Sequence, residues 1–193
     1  MMDSIELILS VFLGIGLAAA VGFRVFLPLL ILSLAGHYEI IPLAEGWQWA
    51  GSLTAVITLG IATLVEIFGY YIPWVDNLLD TIAVPLAAIA GTAVFVATVG
   101  DLNPVFTWAL AIIAGGGTAA AIKGNTAALR LTSSATTGGV ANPVVATAET
   151  GSATVMSAAS IFVPGLAIIL VLLIFWAIYR FYKKLNKKRS PRP

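Results

Sequence analysis

The sequence has no cysteine and one histidine, and only 10% of its 193 residues are charged. Each shortage closes a class of chemistry. Without cysteine there is no disulfide, no thiol nucleophile and no thiolate metal site. The single histidine, His37, falls in a loop, so it offers neither a histidine metal site nor the base of a Ser–His–Asp triad. There is no His-Glu-x-x-His, no phosphate-binding loop, and no pair of aspartates inside adjacent spans. An enzyme is therefore not expected, and neither is a cofactor or a metal. A soluble domain carries about 25% charged residues, so a chain this poor in charge points to lipid as its solvent.

Apolar sequence fills the space instead: 60% of the residues are hydrophobic, with a mean hydropathy of +1.01. A membrane-crossing helix needs about 20 mostly apolar residues. On that measure the pattern predicts an all-α polytopic transmembrane bundle of about six spans: 5–35, 48–71, 81–99, 105–122, 139–157 and 161–179. The opening Met1-Met2-Asp3-Ser4-Ile5-Glu6 lacks the basic start of a signal peptide, so the first stretch reads as a retained span. It is too long for one straight helix and should tilt or break near Gly22-Phe23-Arg24. Residues 123–160 are rich in Ala, Thr, Ser and Gly, which suits a helix packed inside a bundle better than one facing lipid.

Residues 1–180 thus form one transmembrane domain, followed by a basic tail at 181–193. Seven of the ten Lys and Arg residues lie between Arg180 and Arg192. Behind a hydrophobic span such a run marks the cytoplasmic side and not a nucleic-acid partner. Six spans then place both termini in the cytoplasm. Trp47, Trp49, Trp74 and Trp108 fall near the expected interfaces, as an aromatic belt requires. The acidic stretch 72–80, with Asp76 and Asp80, reads as a solvated link.

The two halves resemble each other. Gly14-Ile15-Gly16-Leu17-Ala18-Ala19-Ala20-Val21 lines up with Gly115-Gly116-Gly117-Thr118-Ala119-Ala120-Ala121-Ile122, and Ile82-Ala83-Val84-Pro85 with Ile161-Phe162-Val163-Pro164. Candidate repeats cover 5–100 and 105–180. Three spans is an odd number, so two such repeats would be inverted, each with a broken or kinked first helix, as in many transporters.

Charge at membrane depth costs about 2.5–3.5 kcal/mol per residue on insertion scales, so it needs a reason. Arg24, Lys123 and Arg130, with Asn125, are the candidate binding residues for an anionic group, because a guanidinium matches carboxylate and phosphate. Glu66 and Glu149 are candidates for carrying a proton or coupling ion. Gly22, Gly124 and Pro28 are candidate helix breaks. The structural alternative has Arg24 snorkelling or paired with Glu66, and Lys123 and Arg130 setting topology. The pattern favours a small transporter or channel-like permease for an anionic solute or lipid phosphate. The competing reading is a membrane scaffold or assembly protein. The partners implied are the lipid bilayer and a second copy of the chain.

Gly22-Phe23-Arg24-Val25-Phe26-Leu27-Pro28-Leu29-Leu30, Asp80-Thr81-Ile82-Ala83-Val84-Pro85, and Lys123-Gly124-Asn125-Thr126 through Asn142-Pro143 resemble a family of small bacterial membrane proteins classed as domain of unknown function 4126. The resemblance spans nearly the whole chain. It implies a bacterial inner-membrane protein and supplies no catalytic residues.

Overall fold

Prolines open four of the helices. A computed structural model describes residues 4–100 and 102–189, with the backbone alone for 73, 74, 77 and 185–189. Helix α4 (Pro73–Thr98), α5 (Pro104–Leu110) and α8 (Pro164–Arg189) each begin at a proline, and α7 (Asn142–Phe162) has Pro143 as its second residue. The missing N–H of proline costs nothing in a first turn. Asn103 caps α5 by accepting from Val105 N at 3.0 Å, and Ser52 caps α3 (Leu53–Gly69) by accepting from Ala55 N at 3.2 Å. The remaining helices are α1 (Ser4–Phe23), α2 (Phe26–His37) and α6 (Gly117–Thr137); a 3₁₀ turn, Gln48–Gly51, precedes α3. A π-helical segment, Ala111–Gly116, joins α5 to α6, so that Pro104–Thr137 is one helix of 34 residues. No strand occurs among the described residues.

The all-α class is as expected, and four helical segments are long and apolar enough to cross a membrane: Ser4–Phe23, Leu78–Thr98, Pro104–Thr137 and Pro164–Lys184. Two shorter apolar helices, Phe26–His37 and Leu53–Gly69, accompany them. The expected buried span at 139–157 falls within α7, which packs its Ala146, Ala153, Ser157 and Ser160 face inward, whereas the loop expected after residue 122 is a helix, because α6 runs on to Thr137.

Helix α1 lies at the centre, touched by α4, α6, α7 and α8. Its Leu13, Leu17 and Val21 form one core with Val94, Ala97 and Ala119. Helices α4 and α6 come close enough to touch through backbone. A Cβ on Gly115 would lie 2.6 Å from the Gly91 carbonyl oxygen, and one on Gly91 would lie 2.9 Å from that of Gly115. Only glycine fits this crossing.

The predicted first span is two helices, and the chain reverses between them. Ile41, Leu43 and Ala44, which follow α2, border the same cavity as Glu6, Leu9 and Leu13 of α1. Ala44 N also donates to Ala97 O at 2.9 Å, at the end of α4. Helix α2 therefore runs back towards the start of α1, and α3 returns to the level of Arg24. The first half of the chain thus holds four helices and the second half three. The segments aligned as a repeat, 14–21 and 115–122, also run in the same direction. Gly14 lies against Phe95 and Gly22 against Ile122, while Gly115 lies against Phe95. Two inverted triplets do not describe this arrangement, and the similarity of those stretches reflects a shared need for small residues at helix contacts.

Pro164 borders the cavity of Glu6, whereas Ile174 and Ala177 of α8 lie beside Phe23. The start of α1 and the end of α8 sit at opposite ends of the bundle. The predicted positions of Trp74 and of residues 190–193 lie outside the described side chains.

A buried charge cluster at the broken helix

The break at Arg24-Val25 leaves helix ends that need partners, because a terminus lacks intrahelical hydrogen bonds. Charged side chains from two other helices supply them. The Glu66 carboxylate of α3 accepts from Val25 N at 2.7 Å and from Phe26 N at 3.0 Å, capping α2. Lys123 of α6 donates from Nζ to Phe23 O at 3.0 Å, capping α1. An anion at a helix N-terminus and a cation at a C-terminus both match the helix dipole.

Arg24, between these two caps, is fully buried. Its Nη2 donates to Ala146 O at 2.8 Å and its Nε to Thr150 Oγ1 at 3.1 Å, both on α7. Glu149 lies 3.9 Å from Nη2. Arg130 of α6 holds the same glutamate more closely, with Nε to Oε1 at 3.2 Å and Nη2 on Oε2. Asp80 Oδ2 is 3.9 Å from Arg130 Nε.

Tyr70 sits among all of them. The guanidinium carbons of Arg24 and of Arg130 are each 4.2 Å from its ring centroid, and Lys123 Nζ is 5.4 Å from it. Its hydroxyl and the Asp80 carboxylate interact. The ring's negative face attracts cations, and more strongly where water is excluded. One η nitrogen of each arginine, Nη1, has no hydrogen-bonding partner among the described residues.

Five of the predicted site residues thus meet: Arg24, Lys123, Arg130, Glu66 and Glu149. Asn125 does not join them; its amide donates to Ala121 O at 2.7 Å, one turn back on its own helix. Gly22 lies inside α1, packed on Ile122, and Pro28 inside the first turn of α2, so the break falls between them. Gly124 lies within the unbroken α6. The irregular turn of that long helix is the π segment at Ala111–Gly116 instead.

Sequence reasoning missed Tyr70, Asp76 and Asp80. The stretch 72–80 was expected to be a solvated link, but α4 already begins at Pro73, and Asp76 is only 3% exposed. Asp76, Asp80 and Ala83–Val84 follow helical spacing, a signal that could have placed both acids on the inner face. Asn142 Nδ2 donates to Asp76 Oδ2 at 3.1 Å and to Ser134 Oγ at 3.0 Å.

The cluster and the bundle around it define the class, a polytopic helical membrane-type protein with paired charges buried at a helix break. The chain belongs to the family described as Domain of unknown function (DUF4126), whose model matches residues 11–184. No curated protein and no solved structure matches it.

Proposed function

We propose that the chain is a small carrier of the bacterial cell membrane that moves an anionic solute, either a free phosphate or carboxylate or the headgroup of a lipid phosphate. The observation behind this reading is the gathering of Arg24, Lys123 and Arg130 around one tyrosine at a broken helix. Such cations are costly at membrane depth and mark solute pathways in membrane proteins. Glu66 is engaged by backbone amides. Glu149 therefore holds the place of an anion, because its carboxylate occupies Arg130 and approaches Arg24. An arriving anion would compete with Glu149 for the guanidinium groups, and the freed carboxylate would take up a proton or coupling ion.

In this reading the molecule is in a closed state. Arg24 is fully buried. A cleft of about 250 Å³ reaches Tyr70 from the end where α6 turns into α7. With Arg180, Lys183 and Lys184 at the cytoplasmic surface, that cleft opens inward. Helices α1, α4, α5–α6, α7 and α8 make five crossings, with α2 and α3 as a re-entrant hairpin. The N-terminus then lies outside.

The test is uptake of radiolabelled inorganic phosphate, and flipping of a fluorescent phosphatidic acid, in proteoliposomes. Arg24→Ala and Arg130→Ala should each abolish whichever activity the wild type has, and Arg24→Lys should retain a fraction of it. Unchanged transport in both alanine variants, or no movement of either probe by the wild type, refutes the carrier reading.

The scaffold reading draws support from the other end of the same facts. Each cation of the cluster already has an internal partner, and α8 ends in an exposed band of aromatic and basic side chains. There Arg180 lies 5.2 Å from the Trp176 ring and Lys183 lies 5.9 Å from that of Tyr179. Such a band suits anionic lipid headgroups.

A further inference from the structure

The cleft beside Tyr70 carries chemistry of its own. It is lined by Tyr70, Tyr71, Asp76, Ser134, Asn142 and Pro143, with the Gly138-Gly139 turn closing one side. Both glycines have positive φ, 63° and 87°, which shapes the abrupt passage from α6 to α7. Asn142 is 5% exposed, and its orientation is fixed. Both amide hydrogens are committed, one to Asp76 Oδ2 and one to Ser134 Oγ. The opposite flip would set its oxygen against the Asp76 carboxylate. Asn142 Oδ1 is thereby left as a buried acceptor with no hydrogen-bond donor among the described residues.

A buried acceptor without a donor costs about 1–3 kcal/mol and calls for an explanation. Here the same side chain holds a carboxylate and a hydroxyl through its amide nitrogen. Asp76 is the one acid among the described residues that line the cleft, and it accepts there from Asn142 Nδ2. Oxygen donors and a single lining carboxylate describe a site for a hard cation of low charge. Calcium sites recruit several carboxylates or carbonyls, and magnesium demands near-ideal octahedral geometry.

We infer that the cleft binds a monovalent alkali cation, with Na⁺ preferred, through Asp76, Asn142 Oδ1 and Ser134. The site shares Tyr70 with the arginine cluster, so an added positive charge there would disfavour the guanidinium groups that contact the ring. This provides cation coupling for an anion carrier, yet the site itself rests on different residues.

The experiment is thermal unfolding of the full chain in detergent, followed by tryptophan fluorescence. Na⁺, K⁺ and N-methylglucamine chlorides are compared at equal ionic strength and pH. A ligand that binds only the folded state raises the Tm in proportion to log concentration above its Kd. The wild type should show a saturable rise in Na⁺ over N-methylglucamine, and a smaller one in K⁺. Asp76→Asn and Asn142→Ala should each remove that rise. Because each variant is its own reference across salts, a lower baseline Tm does not spoil the measurement. Ser134→Ala, a milder change, should raise the half-saturating Na⁺ concentration several-fold. Asn142→Asp should bring a response to millimolar Ca²⁺. An identical Tm in all three salts, or a Na⁺ response that survives in both Asp76→Asn and Asn142→Ala, overturns the proposal. The readout is binding, so a chain that transports nothing can still support the site, and a failed site leaves the carrier reading to its own test.

Discussion

At the Gly91–Gly115 crossing two helices meet backbone to backbone, whereas at the Tyr70 corner helices α3, α4, α6 and α7 are held by charged side chains reaching across to one another. The crossing gains contact by having nothing in the way, and any added atom disturbs it. The corner gains it through groups that are costly alone and tolerable together. Packing and small residues drive helix association in lipid, where no hydrophobic force separates helix from solvent. Buried charge adds little net stability but makes each partner depend on the others. The difference predicts opposite responses to substitution: removing atoms harms the corner, and adding them harms the crossing.

The largest effect should come from Glu149→Ala. It strips Arg130 of its closest partner and Arg24 of its nearest carboxylate. Breaking one side of a buried ion pair costs about 3–5 kcal/mol, read as a fall in denaturation midpoint in detergent. Adding Arg130→Met to that variant should recover part of the loss. If the double variant is no more stable than Glu149→Ala alone, the corner is not a coupled network.

At the crossing, Gly115→Leu should cost about 1–3 kcal/mol or more by overpacking, since even its Cβ meets backbone. The measurement is the monodisperse fraction after extraction together with the Tm. Gly124→Leu is the control, because a Cβ there meets nothing within 4 Å. Equal behaviour of the two variants would show that the close approach carries no weight.

The two regions were also unequally legible in the sequence. Runs of Gly and Ala at 14–21 and 115–122 mark close helix contacts by composition alone, though the same likeness suggested an inverted repeat that the helix directions do not support. Composition also marked the all-α membrane class and the buried helix at 139–157, but not the continuation of α6 to Thr137. At the corner, Arg24, Glu66, Lys123, Arg130 and Glu149 stood out because charge within apolar sequence is conspicuous. Their partners did not. Tyr70 and Asp80 are distant in sequence from Arg24 and Arg130, and an amphipathic tyrosine near a span end looks like any interfacial aromatic. The reversal at Arg24-Val25 was hidden for a related reason. It depends on caps supplied from residues 66 and 123, which no local pattern around residue 24 records.

Glu66→Gln tests that reversal with a smaller effect. A carboxylate can accept from both Val25 N and Phe26 N, whereas a carboxamide has one oxygen to offer and no charge for the helix dipole. Loss of a cap costs about 0.5–2 kcal/mol. Hydrogen exchange of the Val25 and Phe26 amides should accelerate, while that of Leu17 and Val21 in α1 stays slow. Uniform acceleration through α1 would mean that Glu66 stabilises the bundle at large and not the turn.

Tyr70→Phe is the smallest change and divides the corner most finely. The ring stays beneath Arg24 and Arg130, so the attraction of guanidinium for the aromatic face persists. Only the hydroxyl, which interacts with Asp80, is removed, so the cost should not exceed the roughly 0.5–1.5 kcal/mol of a typical hydrogen bond. Tyr70→Leu, which keeps bulk but loses the π face, should cost more than Tyr70→Phe. The excess should shrink when Arg130→Met is already present, because one of the three cations that share the ring would already be gone. A Leu variant as stable as the Phe variant would assign Tyr70 to space-filling, and the cations would be held by their hydrogen bonds alone.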